Sequence, residues 1–443
     1  MLVRLSITRA LPSVLCTAVG ASLVAIAIAW PRWTDQTMGA TWTPLMGTWD
    51  PRIGPGSVVA VIVAVAVIAV GPTLGRRLSW PALLLWTWSA ATTWAVALAS
   101  VDGREGIGDL FTRRGYFRYD ASRASWHDVF PGFIDRIPLH AENNWETHAS
   151  SHPPGALLAF VGFDRAGLSD AFWLGLTVLA LGTTAAVACC IALRVLAGEE
   201  WARRATPWLI LAPAAIWIGV SPDAMFAAVA AWALTLLAQA ASARRYAAGY
   251  AVASGLAFGA CLYLSYGLVL LAPLALAVLI AARRWQPIPW TLGGIAIVVG
   301  AVTLAGFAWW DAYPVLVDRY QASMARIRPY DYWVWANVAA WTCTTGLAVW
   351  AALPAATHAL GSGFDGGRPG ARAVAWIGGG AIVSILIATI SGMSKSEVER
   401  IWLPFTWWVL PLAVLLPTRW RLPVLAAQAA GALLIQHLVV TPW

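Results

Sequence analysis

SVVAVIVAVAVIAVGPTL, residues 57–74, runs for eighteen positions without a charge and is followed, after Gly75, by Arg76 and Arg77. As a helix it is about 27 Å long, close to the hydrocarbon thickness of a bilayer, about 30 Å. Read outward, the pattern repeats. One apolar run precedes it at about 10–30 and another follows at 80–99. Ten more lie at about 171–194, 206–220, 223–240, 248–264, 267–282, 288–310, 337–358, 373–391, 401–417 and 422–440. In lipid only a helix satisfies its own backbone segment by segment, so the expectation is an all-α, polytopic bundle of about 13 spans. The first run has no small-residue cleavage site after it and reads as a retained helix.

Composition agrees. Of 443 residues, 60% are hydrophobic and 11% charged, against roughly 25% charged in soluble domains. The net charge of +8 does not imply a nucleic-acid partner, because most arginines sit in short pairs between apolar runs, as cytoplasmic loops require. The cysteines, Cys16, Cys189, Cys190, Cys261 and Cys343, lie inside apolar segments without ligand spacing and read as reduced packing residues.

Placing Arg4 and Arg9 in the cytoplasm sets the topology by alternation. Arg76 and Arg77, Arg203 and Arg204, Arg244 and Arg245, Arg283 and Arg284, Arg368 and Arg372, and Arg419 and Arg421 then all fall inside. This holds only if the short run 153–164 does not cross, so it reads as a helix lying at the outer interface. Three polar segments remain outside: 100–152, 311–336 and 391–400. The first holds eight of the 21 acids and four of the six histidines. Loops that merely join helices are usually shorter, so this one is a candidate site as well as a candidate solvated cap.

Asp102 follows the end of the 80–99 span. There it is either a boundary residue in water or a fixed, partly desolvated general base. Asp120, in Tyr116-Phe117-Arg118-Tyr119-Asp120, is a second candidate base. Tyr119 beside it is suited to stack on a sugar, or to face an interface. Glu105, Asp109, Asp128 and Asp135 read as solvated charges. His148-Ala149-Ser150-Ser151-His152-Pro153-Pro154-Gly155 places two histidines at a helix start, where amide donors suit phosphate or sugar oxygens; a purely structural Pro-Pro turn is the alternative. Lys395 and Arg400 flank Glu397 and Glu399 on the outer side. Charge bias disfavours idle cations there, and cations at that depth can stabilise a departing lipid phosphate. Arg326 and Arg328 are weaker candidates of the same kind. Asp223, after Ser221-Pro222, either caps a helix or lines the same cavity.

These residues resemble the GT-C superfamily of polyprenyl-phosphate-sugar-dependent glycosyltransferases. The likeness rests on the acid just after a span (Asp102), on His152-Pro153-Pro154 before a short interfacial helix, and on Pro222-Asp223 at an outer hairpin. Relatives of the protein O-mannosyltransferase and aminoarabinose-transferase type carry such strings. Two spans precede the matching region, and no paired Asp-Asp, Asp-Glu or Glu-Asp stands in the first loop. The division implied is 1–78, two extra spans; 79–336, a catalytic module with outer loops 100–170 and 311–336; and 337–443, the remaining spans with loop 391–400.

The resemblance implies an outward-facing plasma-membrane enzyme. It would move mannose or arabinofuranose, as actinobacterial mannosyl- and arabinofuranosyltransferases do, from a polyprenyl phosphate to a cell-envelope glycan or glycolipid. Lys395, Arg400 and His152 would meet the donor phosphate, and His148, Glu397, Tyr119 and Asp223 the substrates. Asp102 or Asp120 would be the base of an inverting displacement. No cofactor is required, and a divalent Mg or Mn has no ligand cluster that demands it. The rivals are a lipid or saccharide transporter or flippase, which needs polar residues at mid-membrane, and a non-enzymatic scaffold of envelope assembly.

Overall fold

The computed structural model describes residues 2–113, 115–125, 127, 129–219, 221–361 and 368–442. Asp128 lies outside the described residues. Among them the regular structure is helical apart from one ribbon of two-residue strands, Thr48–Trp49 paired antiparallel with Val439–Val440.

Among the described residues eight helices are long and apolar enough to cross a membrane: Ala10–Thr34, Pro55–Arg77, Trp80–Asp102, Ala171–Leu196, Asp223–Ser242, Ala247–Leu264, Pro287–Leu304 and Pro369–Ile390. Tyr330–Thr345 and Leu347–Gly361 are an apolar pair, a broken span or a re-entrant loop, bent by 100° at Gly346, whose φ of 73° is one that glycine adopts without penalty. The expected run 206–220 is shorter and earlier, as Glu199–Ile210 followed by the single turn Ala215–Ile218; Pro213 between them cannot donate to a continuing helix. Tyr266–Ala282 and Leu403–Leu415 are short apolar helices, and Thr418–Leu438 completes the bundle. The expected loop 311–336 is largely helical, as Trp309–Ala322.

Residues 55–77 show why these helices associate. Ala60, Ala64, Val67, Gly71 and Gly75 are buried, while Val58, Val61, Ile62 and Val65 are exposed. The bulkier face is turned outward. That suits a lipid surround, where small residues let helix backbones approach and packing drives association. The Asp223–Ser242 helix is buried almost all round, between Ala171–Leu196 and Ala247–Leu264. Hydroxyls tie it in: Thr235 Oγ1 donates to Ala188 O at 2.8 Å, and Ser254 Oγ donates to Ala233 O at 2.8 Å. Ala247–Leu264 meets Pro287–Leu304 through Gly255, where a Cβ would stand 2.1 Å from Thr291 O.

Several of the basic residues expected on one side meet at one end of the bundle. Arg203 donates to Gly75 O and Leu78 O at 2.8 and 2.9 Å, Arg194 pairs with Glu199, and Arg421 lies near Arg204 and Arg368. The opposite end collects the polar segments 100–152, 311–329 and 391–400, together with 35–54, a segment the sequence reading passed over. The expected interfacial helix is present as Pro154–Arg165 with proline in its first turn.

Gly255→Val is expected to force the two helices apart and lower stability by about 1–3 kcal/mol, read as a lower thermal unfolding midpoint in detergent.

Candidate functional site

The polar end is organised around a chain of buried ions. Pro222 starts the helix that carries Asp223. Ser221 Oγ accepts the Asp223 amide at 3.0 Å and donates to its carboxylate at 2.5 Å. The hydroxyl therefore serves the helix start, and the carboxylate is left for Arg400. Arg400 Nη1 donates to Asp223 Oδ2 at 2.7 Å and Nη2 to Glu397 Oε2 at 2.5 Å. Glu397 Oε1 in turn accepts from Arg328 Nη2 at 2.8 Å. Asp223, Arg328 and Arg400 are all buried. Two carboxylates and two guanidiniums sum to zero, the condition under which buried charge is tolerated. Burial alone would push the Glu397 carboxyl up, but Arg400 and Arg328 hold it below the ordinary range. Burial likewise disfavours the Arg400 charge, yet Asp223 and Glu397 hold its pKa above the usual one.

The backbone carrying these groups is strained. Ser396 and Glu397 have φ of 68° and 62°, left-handed values that cost non-glycine residues of order 1–3 kcal/mol each. A buried amide compensates: Asn337 Nδ2 donates to Ser394 O at 2.6 Å, and its Oδ1 accepts from Ser396 N at 3.1 Å. Lys395 stands on the far side of Arg328. Its carbonyl accepts from Arg328 at 2.8 Å, its amide donates to Tyr320 Oη at 3.1 Å, and its ammonium donates to Ala325 O at 3.1 Å. No carboxylate neutralises it among the described residues. Arg326 is exposed.

A neutral wall faces this network. His148 Nδ1 donates to Gly115 O at 2.9 Å and His152 Nδ1 to His148 O at 2.8 Å. A carbonyl only accepts, so each ring keeps its lone pair on Nε2. Tyr116 stacks on His148 at 3.8 Å. Burial, then the positive field of Arg400, pushes His148 down to about 3. His152 is lowered by burial despite nearby Asp223, and burial pushes Tyr116 up to about 12. Tyr119, three residues on, is exposed with Arg123 over its ring at 4.2 Å. His127 and His140 face water.

The two candidate bases differ. Asp120 is fully buried; Arg123 Nη2 donates to Oδ1 at 2.5 Å and the Glu146 amide to Oδ2 at 2.9 Å. It anchors the turn leading to His148. Asp102 has a side chain 34% exposed and lines a cavity of about 230 Å³ with Glu105, Asp109, Arg113, Gly219 and Gln436. Arg52 grips both its oxygens, and Gln436 Nε2 donates to Oδ2 at 3.0 Å. Asp102 therefore does not join the Asp223–Arg400 network but sits beside it: Arg113 on the cavity wall and Arg400 both act on Tyr116.

Sequence reasoning picked out Asp223, Glu397, Arg400, Lys395, His148 and His152, which the structure brings together. It missed Arg52, Asn337, Ser221 and Gln436. Glu399 is fully buried beside Glu397, Arg400, Cys343 and the Met46 amide, and burial raises it to about 7. An apolar groove of about 350 Å³ runs between the helices from Leu262 and Leu268 to Leu279 and Ile288. Next to its start, Tyr263 packs on Gly155 of the helix behind His152. No three His, Cys, Asp or Glu side chains converge as a metal site among the described residues.

No family model and no curated protein matches the sequence. Among solved structures, ArnT from Cupriavidus metallidurans in the apo state aligns at a TM-score of 0.43 and 19% identity, over 68% of this chain and 54% of that one. The chain thus spans about half the length of that neighbour.

Two predictions follow from the charges. Arg400→Ala strands the buried Asp223 carboxylate and leaves Glu397 with Arg328 alone; it is expected to cost about 3–5 kcal/mol, whereas Lys395→Ala costs about 1 kcal/mol, both read by unfolding. Folded Glu399 keeps its proton to about pH 7, while the unfolded chain releases it near its ordinary 4.5. The native state therefore binds more protons in that window, and stability falls as pH rises through it. Glu399→Gln is expected to raise the unfolding midpoint at pH 8 and to do so much less at pH 5.

Proposed function

We propose that the chain is a membrane glycosyltransferase of the GT-C kind, moving mannose or arabinofuranose from a polyprenyl phosphate to an envelope glycan or glycolipid on the outer face of the plasma membrane. The observation that carries this reading is the Asp102 carboxylate. It is partly exposed on a cavity at the polar end of a lipid-facing bundle, while Asp120 is sealed.

In this reading Asp102 takes the proton of an acceptor hydroxyl as its oxygen bonds to the anomeric carbon. The bond from that carbon to the lipid phosphate breaks on the opposite side, and the anomeric configuration inverts. The phosphate leaves as an anion. Arg400, already matched by two carboxylates, orders the site; Lys395 is the cation left to meet the phosphate. The neutral histidines offer Nε2 lone pairs to sugar hydroxyls and add no charge that would hold the departing phosphate too tightly. The apolar groove suits a long isoprenoid chain, whose binding grows with buried apolar area.

The test is release of sugar from polyprenyl phosphates carrying mannose or arabinofuranose. Asp102→Asn is expected to lower turnover by about 10²–10⁴-fold with donor binding kept. Lys395→Ala is expected to weaken donor binding by about tenfold, one charge-assisted hydrogen bond. Normal turnover in Asp102→Asn would remove the assignment.

A further inference from the structure

Asp102 is held from two segments that lie far from it in the chain, and the manner of holding leaves little freedom. A carboxylate offers about four lone-pair sites. Arg52 Nε takes one on Oδ1, and Arg52 Nη2 at 2.9 Å and Gln436 Nε2 at 3.0 Å take both on Oδ2. One site on Oδ1 remains, on a side chain that borders the cavity.

The two holders are themselves fastened. The Arg52 amide donates to His437 O at 2.8 Å and the Asp50 amide to Leu438 O at 3.0 Å. The Thr48–Trp49 ribbon pairs with Val439–Val440, and His437 Nε2 meets Ser57 Oγ at 2.8 Å. The helix after Arg52 presses onto the end of the helix before Asp102. At Gly56 a Cβ would stand 2.0 Å from Ala97 O, so glycine is required for that approach. The guanidinium, the amide and the carboxylate therefore come from three segments locked to one another.

We propose that Arg52 and Gln436 are positioning residues for the transfer: they orient Asp102 so that a single lone pair of Oδ1 faces the acceptor hydroxyl. This rests on the transferase reading above and concerns how the base is aimed. A planar fork fixes a carboxylate plane where an ammonium would not, and a displacement of about 1 Å costs about 100-fold in rate.

The experiment measures sugar release from the same polyprenyl phosphates in Arg52→Ala, Arg52→Lys, Gln436→Leu and Asp102→Asn, with thermal unfolding as a control. Arg52→Ala is expected to lose about 100-fold in kcat with KM nearly unchanged. Added guanidinium ion is expected to restore part of it, and Arg52→Lys to recover little. Gln436→Leu is expected to lose about tenfold in kcat, and it carries the test if Arg52→Ala does not fold. If Asp102→Asn is inactive while Arg52→Ala and Gln436→Leu keep kcat, the positioning claim falls and the base stands. Loss in Arg52→Ala that tracks a lowered unfolding midpoint and ignores guanidinium marks a merely structural role and also overturns it. Full turnover in Asp102→Asn removes the base and its aim together.

Discussion

Four ions at one end of the bundle, the buried Asp223, Arg400 and Arg328 with the part-buried Glu397, constrain everything around them. Each belongs to a different stretch of chain or to a different turn of one. Asp223 opens a central helix, Arg328 precedes the bent pair, and Glu397 and Arg400 share a short connecting segment. In a low-dielectric surround no single member can be removed or displaced without leaving a naked charge. The set therefore fixes the relative positions of three segments more tightly than apolar contact does. It also explains why the left-handed turn at Ser396 and Glu397 persists, since relaxing it would withdraw Glu397 from both arginines.

The bundle beneath follows the opposite logic. Its helices are held by close approach of small residues and by hydroxyls returned to neighbouring carbonyls, with bulky side chains left to the lipid. Such packing is permissive along the helix axis. A charge network at one end supplies the register that small-residue contacts lack.

Much of the fold was legible because lipid allows so few solutions. Apolar length located most of the helices, and the arginine pairs marked the end where Arg194, Arg203, Arg204, Arg368 and Arg421 meet. Breaks were less readable: the bend at Gly346 and the interruption at Pro213 depend on tertiary packing. Within the site, Asp223, Glu397, Arg400 and the two histidines stood out as polar residues in improbable places. Arg52 was missed although it carries the same signal as Lys395, a cation outside the basic pairs. Asn337 and Gln436 had no such signal, because an amide inside a helical apolar run looks the same whether it clamps a turn or faces a neighbour. Which of Asp102 and Asp120 is open could not be read at all, since burial is a property of the assembled chain.

The small ribbon joining Thr48–Trp49 to Val439–Val440 has a consequence for biogenesis. Its first strand leaves the ribosome almost a whole chain before its partner. At usual synthesis rates the wait is roughly 20 to 80 seconds. For most of that interval Arg52 and Asp102 are already made while Gln436 is not. The Asp102 cavity is thus closed by a helix made long after the segments it joins, and a chain stalled before that helix would carry Arg52 and Asp102 yet no finished pocket.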